Sequence, residues 1–394
     1  MRVELTSYLL YMKKTFRSLI TFPLAYFAVV SVYGQAITNR YRVESSAVPF
    51  LLISPDSRSA ALGDAGVASS PDANAIFWNT AKLAFMDKSA GVSLSYAPWL
   101  RDLVGDMGLI NGSYYKKIGK NQALTAGLTY FNQGQIEFTN QQGTSMGNFQ
   151  SREFALTGGY TRRLGQDFSM GLNLKYINSN LIGDLLVNNQ ASKPGTSVAG
   201  DISFFYKKDR PTQNKEKGTD IAFGLVLQNI GGKVNYGREF DYYLPANLKF
   251  GTALEIRADQ RNVFQILLDA NKPLVPTPQA DGSIPQVSAM RAILTSFSDS
   301  PEQNGELAEF RGSLGVEYTY DQILSLRSGF FYENQFRGGR QYVTTGVGLR
   351  LKENYVLDLA YLVPINSGNP LANTWRMTLR IDLSSRMKAP IDEE

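Results

Sequence analysis

Apolar and polar residues alternate with period two along most of the chain beyond Ala90, and the apolar member is often aromatic. Leu124, Ala126, Leu128 and Tyr130 form one row, Phe154, Leu156, Gly158 and Tyr160 another, and Phe168, Met170, Leu172, Leu174 and Tyr176 a third. Ile202, Phe204 and Tyr206 follow, then Ile221, Phe223, Leu225 and Leu227. The last row is Trp375, Met377, Leu379, Ile381 and Leu383, interleaved with Arg376, Thr378, Arg380 and Asp382. Period two is the strand repeat, here with one greasy face and one polar or small face. A soluble sandwich shows the same alternation, so the repeat alone leaves sandwich and barrel open.

Strand and connection lengths separate them. The pattern predicts about fourteen strands, near 90–97, 106–117, 121–132, 151–163, 168–180, 198–208, 219–229, 246–257, 262–272, 309–320, 323–333, 341–352, 355–364 and 374–383. Most reach about ten residues, against about five or six in soluble sheets; tilted membrane strands need about 9 to 11. Short connections at Ile118–Lys120, Gly165–Asp167, Ala258–Arg261, Asp321–Gln322 and Glu353–Asn354 take every other place, and long ones fall between them at Asn132–Gln150, Leu181–Ser197, Ile230–Pro245 and Pro273–Glu309. Short turns on one rim and long loops on the other mark an outer-membrane barrel. Lys207–Gly218 is the exception, being long on the short-turn rim. An even strand count closes the sheet with both termini on the short-turn, periplasmic side, and closure leaves no backbone edge bare in lipid. The expected fold is an all-β transmembrane antiparallel β-barrel of about 14 strands, wide enough to need a plug or a reason to be open.

The start of the chain reads as an address. Lys13, Lys14 and Arg17 precede an apolar run, Leu19 to Val32, that Pro23 interrupts, and small residues at Val32 and Gly34 precede a cut before Gln35. The run falls below the about 17 to 25 residues of a spanning helix. Residues 1–34 are therefore expected to be a secretory signal peptide, with Met12 as a second candidate start. The remaining division is an N-terminal hatch over 35–89 and a barrel over 90–394.

Composition then narrows the chemistry. The 394 residues include no histidine and no cysteine, which removes thiol nucleophiles, disulfides, thiolate or imidazole metal sites and every triad with an imidazole base. No phosphate-binding glycine loop, EF-hand or Ser-Lys motif stands out. An enzyme is not expected, nor a cofactor or metal. Lys plus Arg number 40 against 35 acidic residues, with no long basic run, so the nucleic-acid footprint is missing too.

The stretch ahead of the first strand is the candidate plug. It runs Val48-Pro-Phe-Leu-Leu-Ile-Ser-Pro55-Asp56-Ser-Arg58, then Ala60-Ala-Leu-Gly63-Asp-Ala-Gly66-Val-Ala, Pro71-Asp72-Ala-Asn74-Ala and Phe77-Trp78-Asn79-Thr-Ala81. Gly63 and Gly66 permit positive φ or close backbone approach, and Asp56, Asp72, Asn74 and Asn79 can bond nearby backbone in turns. Arg58 is also of a type to hold a carboxylate head group by a bidentate contact. This stretch resembles the hatch of FadL-type outer-membrane barrels, apart from Thr80 where those usually have proline. More closely, Val48 to Arg58, Ser70 to Asn74, Ser95-Tyr-Ala-Pro98-Trp99-Leu100, Leu227-Gln-Asn229-Ile-Gly231-Gly and Leu244-Pro-Ala-Asn-Leu-Lys-Phe-Gly251 are similar to the PorV family of type IX secretion proteins.

That resemblance implies a non-catalytic outer-membrane component. It would dock at the large translocon barrel, bind the C-terminal domains of secreted cargo and pass cargo to the surface attachment (sortase) complex, within a bilayer bearing lipopolysaccharide. Pro98, Trp99 and Leu100 are candidate partner anchors, since large apolar side chains dominate interface energetics; an aromatic girdle is the other reading of Trp99. The loop Lys272–Glu309, with four prolines from Pro273 to Pro285 and then the apolar Ala289–Leu294 stretch, is expected to reach from the cell surface to partners. On the inward face, Lys249, Glu255, Arg311, Glu317, Asp358, Arg376, Arg380 and Asp382 are expected to pair and tie plug to wall. The competing function is FadL-like diffusion of a small hydrophobic molecule, which needs an apolar pocket beside the hatch and a lateral opening.

Overall fold

Fourteen antiparallel strands close on themselves in the computed structural model, which describes residues 42–383 apart from 102–103, 140–141, 182, 184–185, 188–189, 212–216, 238–239, 280, 302–304 and 367–368. The expected signal peptide and its cleavage point lie outside the described residues. The wall strands are β1 (Ala90–Pro98), β2 (Gly108–Lys117), β3 (Gln122–Thr139), β4 (Ser145–Arg163), β5 (Phe168–Asn180), β6 (Gly195–Pro211) and β7 (Gly218–Gly231). The second half comprises β8 (Asn247–Arg257), β9 (Asn262–Pro273), β10 (Arg311–Tyr320), β11 (Leu324–Tyr332), β12 (Gln341–Leu351), β13 (Tyr355–Pro364) and β14 (Trp375–Asp382). Each pairs with its sequence neighbours, and β1 closes on β14 from Gly91↔Asp382 to Tyr96↔Met377.

The period-two rows predicted from sequence fall on the outer face. Leu94, Leu128, Leu156, Leu172, Leu174, Leu268, Leu314, Leu326 and Leu379 are all exposed there, as lipid contact requires. Serines, threonines, asparagines and charges at the intervening positions are buried inward, among them Ser95, Thr125, Asn173, Asp201, Lys249, Asp269, Glu317 and Arg376.

Two expected loops are strand instead. β3 and β4 keep pairing past a register shift at Asn132/Gln135 out to Thr139↔Ser145, so the expected Asn132–Gln150 loop is a hairpin projecting beyond the lipid band. Its alternation fades because neither face meets lipid there. The anomalous Lys207–Gly218 connection shortens likewise, since β6 and β7 pair out to Pro211↔Gly218.

The expectation for the termini needs a correction. Ala90 and Leu383 do meet on the short-turn rim, where Leu383 N donates to Ala90 O at 3.0 Å. Residue 42, however, sits at the opposite rim. Arg42 N donates to Phe336 O in the β11–β12 loop, Arg42 Nη1 to Pro278 O, and Ala47 N to Tyr243 O in the β7–β8 loop. From there the chain descends the lumen to Ser89, whose carbonyl accepts from Lys117 N on the short-turn side. Strand parity fixes where the wall begins and ends, but it places no constraint on a segment that runs inside it.

Candidate functional site: the segment inside the barrel

At the long-loop end the lumenal segment is apolar. Val48, Phe50 and Leu51 pack with inward-facing Ala97, Leu109, Phe131, Ala155, Ile177 and Ala199 and with Val234 and Leu244 of the next loop. Phe50 and Phe131 stack with centroids 6.3 Å apart. Removing these side chains from water gives the segment its hydrophobic hold, at about 1.5 to 3 kcal/mol for each large residue.

Below this layer the contacts are backbone to backbone. The residues Ala61 to Val67 press on inward positions of the wall occupied by glycine: Gly315 faces Leu62, Gly329 faces Gly63, Gly346 faces Ala61, and Gly224 and Gly251 face Val67. A Cβ on Gly329 would lie 2.1 Å from Gly63 N, and one on Gly63 would lie 2.6 Å from Phe330 N. Gly63 itself has φ +69°, which suits glycine on conformational grounds as well. The segment glycines stand out along the chain, and the wall glycines do not. The signal was present, because glycine at an inward strand position marks close approach of another backbone.

Polar groups fix the segment's local form. Pro55 is buried just before Asp56, whose Oδ2 accepts from Ser59 N at 2.8 Å to cap the Ser57–Ala60 helix; its Oδ1 accepts from Trp78 Nε1 at 2.6 Å. Trp78 in turn covers Gly66, where a Cβ would meet the indole. Asn79 accepts from Ala81 N and donates from Nδ2 to Val67 O and Phe204 O. Asn74 is buried at the start of the Ala75–Trp78 helix with no side-chain cap bond; its Oδ1 accepts from Ser113 Oγ at 3.5 Å. Lys82 Nζ donates to Gly66 O at 2.6 Å and Ser69 Oγ at 2.9 Å. From the wall, Asp269 Oδ2 accepts from both Gly66 N (2.7 Å) and Val67 N (2.9 Å). Asp269→Ala strands two buried donors and should cost about 2 to 4 kcal/mol. A lower urea midpoint in lipid, with Asp269→Asn intermediate, is the expected measurement.

The central electrostatic feature is a closed circuit of six side chains. Arg58 forks onto Glu317 (Nη2 to Oε1 2.8 Å, Nε to Oε2 3.0 Å), and Glu317 also accepts from Arg327. Arg327 reaches Asp358 at 2.7 Å, Asp358 accepts from Arg380 at 2.8 Å, and Arg380 lies 3.4 Å from Asp72. Asp72 returns to Arg58 at 3.2 Å. Three guanidinium and three carboxylate groups alternate, so the ring is neutral and every charge has two opposite neighbours. Arg58 and Asp72 come from the segment, the other four from β10, β11, β13 and β14. The expected pairing between segment and wall is thus found for Glu317 with Arg58 and for Arg380 with Asp72, while Asp358 pairs within the wall, with Arg380 and with Arg327, the member that sequence reasoning missed. The Arg58 guanidinium is filled by Glu317, Asp72 and Ser70 and holds no fork open for a carboxylate ligand.

The other inward charges lie outside the ring, and among them Arg311 also ties wall to segment through Glu44. Glu255 is 3.3 Å from Arg257, Asp382 is 3.3 Å from Arg350, and Arg311 bridges Glu44 (2.7 Å) and Glu333 (2.6 Å) near the long-loop end. Lys249 Nζ lies 5.0 Å from the Trp78 ring centroid, and Arg376 Cζ 5.8 Å from that of Trp99. Trp99 and Leu100 are half-buried and pack on Phe331, Tyr342, Leu362 and Leu371, so these two turn inward over the long-loop mouth, beyond Pro98 at the end of β1. The Lys272–Glu309 loop is buried at its start, where Leu274, Val275 and Thr277 are covered, and its exposed reach starts near Gln279. Prolines at 273, 276 and 278 lack an N–H and so leave fewer donors to satisfy there. Asp299, Glu306 and Glu309 bring carboxylates within 4.8 Å of one another, but Lys272 binds Glu306 (3.0 Å) and Glu309, and Arg337 is 3.4 Å from Glu309. The protein's own cations answer that charge.

Beneath the segment a cavity of about 1320 Å³ lies at the short-turn rim. Asp72, Asp87, Lys207, Glu255, Arg350 and Arg380 are among its lining, which is the wrong chemistry for an apolar ligand. Between β2 and β3 the wall pairs without a break from Gly108↔Asn132 to Lys117↔Ala123, while β6 and β7 shift register between Gly200 and Ile202.

Among known proteins, the family model described as type IX secretion system protein PorV matches residues 35–280. No curated protein matches the chain. The solved toluene transporter TodX of Pseudomonas putida is 13% identical, with 82% of this chain and 95% of that one covered at a TM-score of 0.47. For the toluene transporter TbuX of Ralstonia pickettii the values are 13%, 82%, 96% and 0.46, and for a FadL homologue of Pseudomonas aeruginosa 14%, 84%, 98% and 0.43.

Proposed function

Because the chain belongs to the PorV family of type IX secretion system proteins, we propose that this outer-membrane barrel is a non-catalytic carrier in that system. It docks at the large translocon barrel, takes the C-terminal domain of secreted cargo on its long-loop rim and passes the cargo to the surface attachment complex. The observation that carries this reading is the lumen held from rim to rim by residues 42–89, with a six-membered ion circuit and a glycine seat. A barrel so filled offers partners its rims and outer wall. On this reading residues 42–89 act as a fixed hatch, and Pro55, Asp56, Arg58, Gly63, Gly66, Asp72, Asn74, Trp78 and Asn79 serve that hatch by holding it in place. Diffusion of a small hydrophobic molecule is less well supported, since the large cavity is charged.

Affinity purification of the tagged chain from mild detergent tests the proposal. A very large barrel and secreted proteins sharing a C-terminal domain are expected to co-purify. Recovery of lipid alone, together with uptake of an aromatic hydrocarbon into vesicles carrying the purified chain, overturns it.

A further inference from the structure

The helix Ala289–Thr295 turns its apolar side away from the protein. Met290, Leu294 and Phe297 follow at helical spacing and are 59%, 69% and 49% exposed, whereas Ala292 and Ser296 on the opposite side are buried. Leu307, in the next short helix, is 70% exposed, and Phe310 follows it at 41%. Water is a poor solvent for such a group, and isolated exposed leucines would need no explanation while a contiguous set does.

Lys272 locates the set relative to the wall. It occupies the same alternate row of β9 as Phe264, Ile266 and Leu268, which face lipid, yet it is buried. Its cover consists of the Phe297 and Phe310 rings, 5.7 and 5.9 Å from the ammonium, with Glu306 and Glu309 as counter-charges. This part of the loop therefore lies against the outside of the barrel. Its height follows from β10 and the residue just before it, Phe310, which with Tyr320 ends one outward row that has Leu314 and Val316 between them. Ten residues rising about 3.3 Å each on a strand tilted by about 40° give a height of about 25 Å, the depth of an outer-membrane barrel's apolar band. Phe310 thus marks the band's upper edge, and Phe297 shares its level.

We infer that this face is a lipid-interface anchor: Met290, Leu294, Phe297 and Leu307 rest on acyl chains of the outer leaflet, with exposed Arg291 beside them to meet lipid phosphate. Lipid is the occupant because the set continues the lipid-facing rows of β9 and β10 at their upper end, and amphipathic segments with a basic residue at the polar boundary lie in such interfaces. The anchor orients the loop, so that its exposed Asp281–Ser283 turn faces away from the membrane. This holds whether or not the cargo reading above is right.

The absence of native cysteine makes the test direct. Leu294→Cys and, separately, Met290→Cys carry an environment-sensitive nitrobenzoxadiazole label in vesicles of phosphatidylethanolamine and phosphatidylglycerol. Leu314→Cys provides the lipid-buried reference and Ser283→Cys the water-exposed one. The expected result is blue-shifted emission at both helix positions, several-fold stronger quenching by a headgroup-level doxyl lipid than at Ser283→Cys, and several-fold weaker quenching by aqueous iodide. Iodide quenching equal to that at Ser283→Cys overturns the inference. Protection that vanishes when the chain is diluted among vesicles points to a second copy, and protection that appears only with added partner protein points to that partner; either also overturns it.

Discussion

A Gly329→Val chain is expected to form a closed wall and to lose its lumenal segment. The ideal Cβ at this position falls 2.1 Å from Gly63 N and 2.2 Å from Leu62 C, both backbone atoms that cannot rotate aside. Separating β11 from the segment by more than an ångström breaks the Gly63 N to Thr344 Oγ1 bond at 2.9 Å and lifts Ala61 to Val67 from neighbouring glycines at 224, 251, 315 and 346. Overpacking a tight site costs about 1 to 3 kcal/mol and more where backbone must move; this site belongs to the second kind. Heat-modifiable electrophoretic mobility reports the wall, and trypsin cleavage after Arg58, Lys82 or Lys88 in vesicles reports the segment. Retained mobility with at least tenfold faster cleavage is the expected pair of results. Gly312→Val is the control: nothing lies within 4 Å of its Cβ and it sits on the outward row, so neither readout should change. Equal protease resistance in both variants would falsify the seat.

Arg58→Met should be nearly as damaging for a different reason. The guanidinium, 6% exposed, binds Glu317, Asp72 and Ser70, and its loss leaves the remaining ring with one negative charge in excess. Removing one partner from a buried ion pair costs about 3 to 5 kcal/mol, because the other charge keeps its desolvation penalty. The neutral ring supplies an internal check. Adding Glu317→Leu to Arg58→Met leaves Arg327, Asp358, Arg380 and Asp72, two of each sign in an unbroken chain of contacts. The double variant should therefore recover part of the urea midpoint in lipid that the single one loses. A double variant as unstable as the sum of the two single ones means that Arg58 and Glu317 do not stabilise each other, and removes the ring as a coupled unit.

Much of the wall was legible because lipid imposes a strict rule. A strand such as β5 must present Phe168, Met170, Leu172, Leu174 and Tyr176 on one side, and any lapse would set a polar group in hydrocarbon. Strand ends were less legible wherever the chain leaves the membrane, as at β3–β4, since the rule stops at the lipid boundary. Within the segment, Asp56, Gly63 and Asn79 could be recognised as turn and cap residues from their immediate neighbours. Their long-range partners could not: nothing along the chain links Arg58 to Glu317 or Gly63 to Gly329, residues hundreds of positions apart. Trp99 shows the same limit, an aromatic whose neighbours Phe331 and Leu362 come from distant strands.

The amino-acid order by itself determined a closed sheet of about fourteen strands, the side of each strand that meets lipid, and a family likeness. Period-two patterning and turn residues are local properties, and local properties survive in one dimension. Tertiary structure alone decided that the inner segment runs from the long-loop rim to the short-turn rim, that six separated charges close into one neutral ring, and that inward glycines form its seat. Those features depend on which distant backbones and charges come within a few ångströms of each other, and only closing the barrel brings them together.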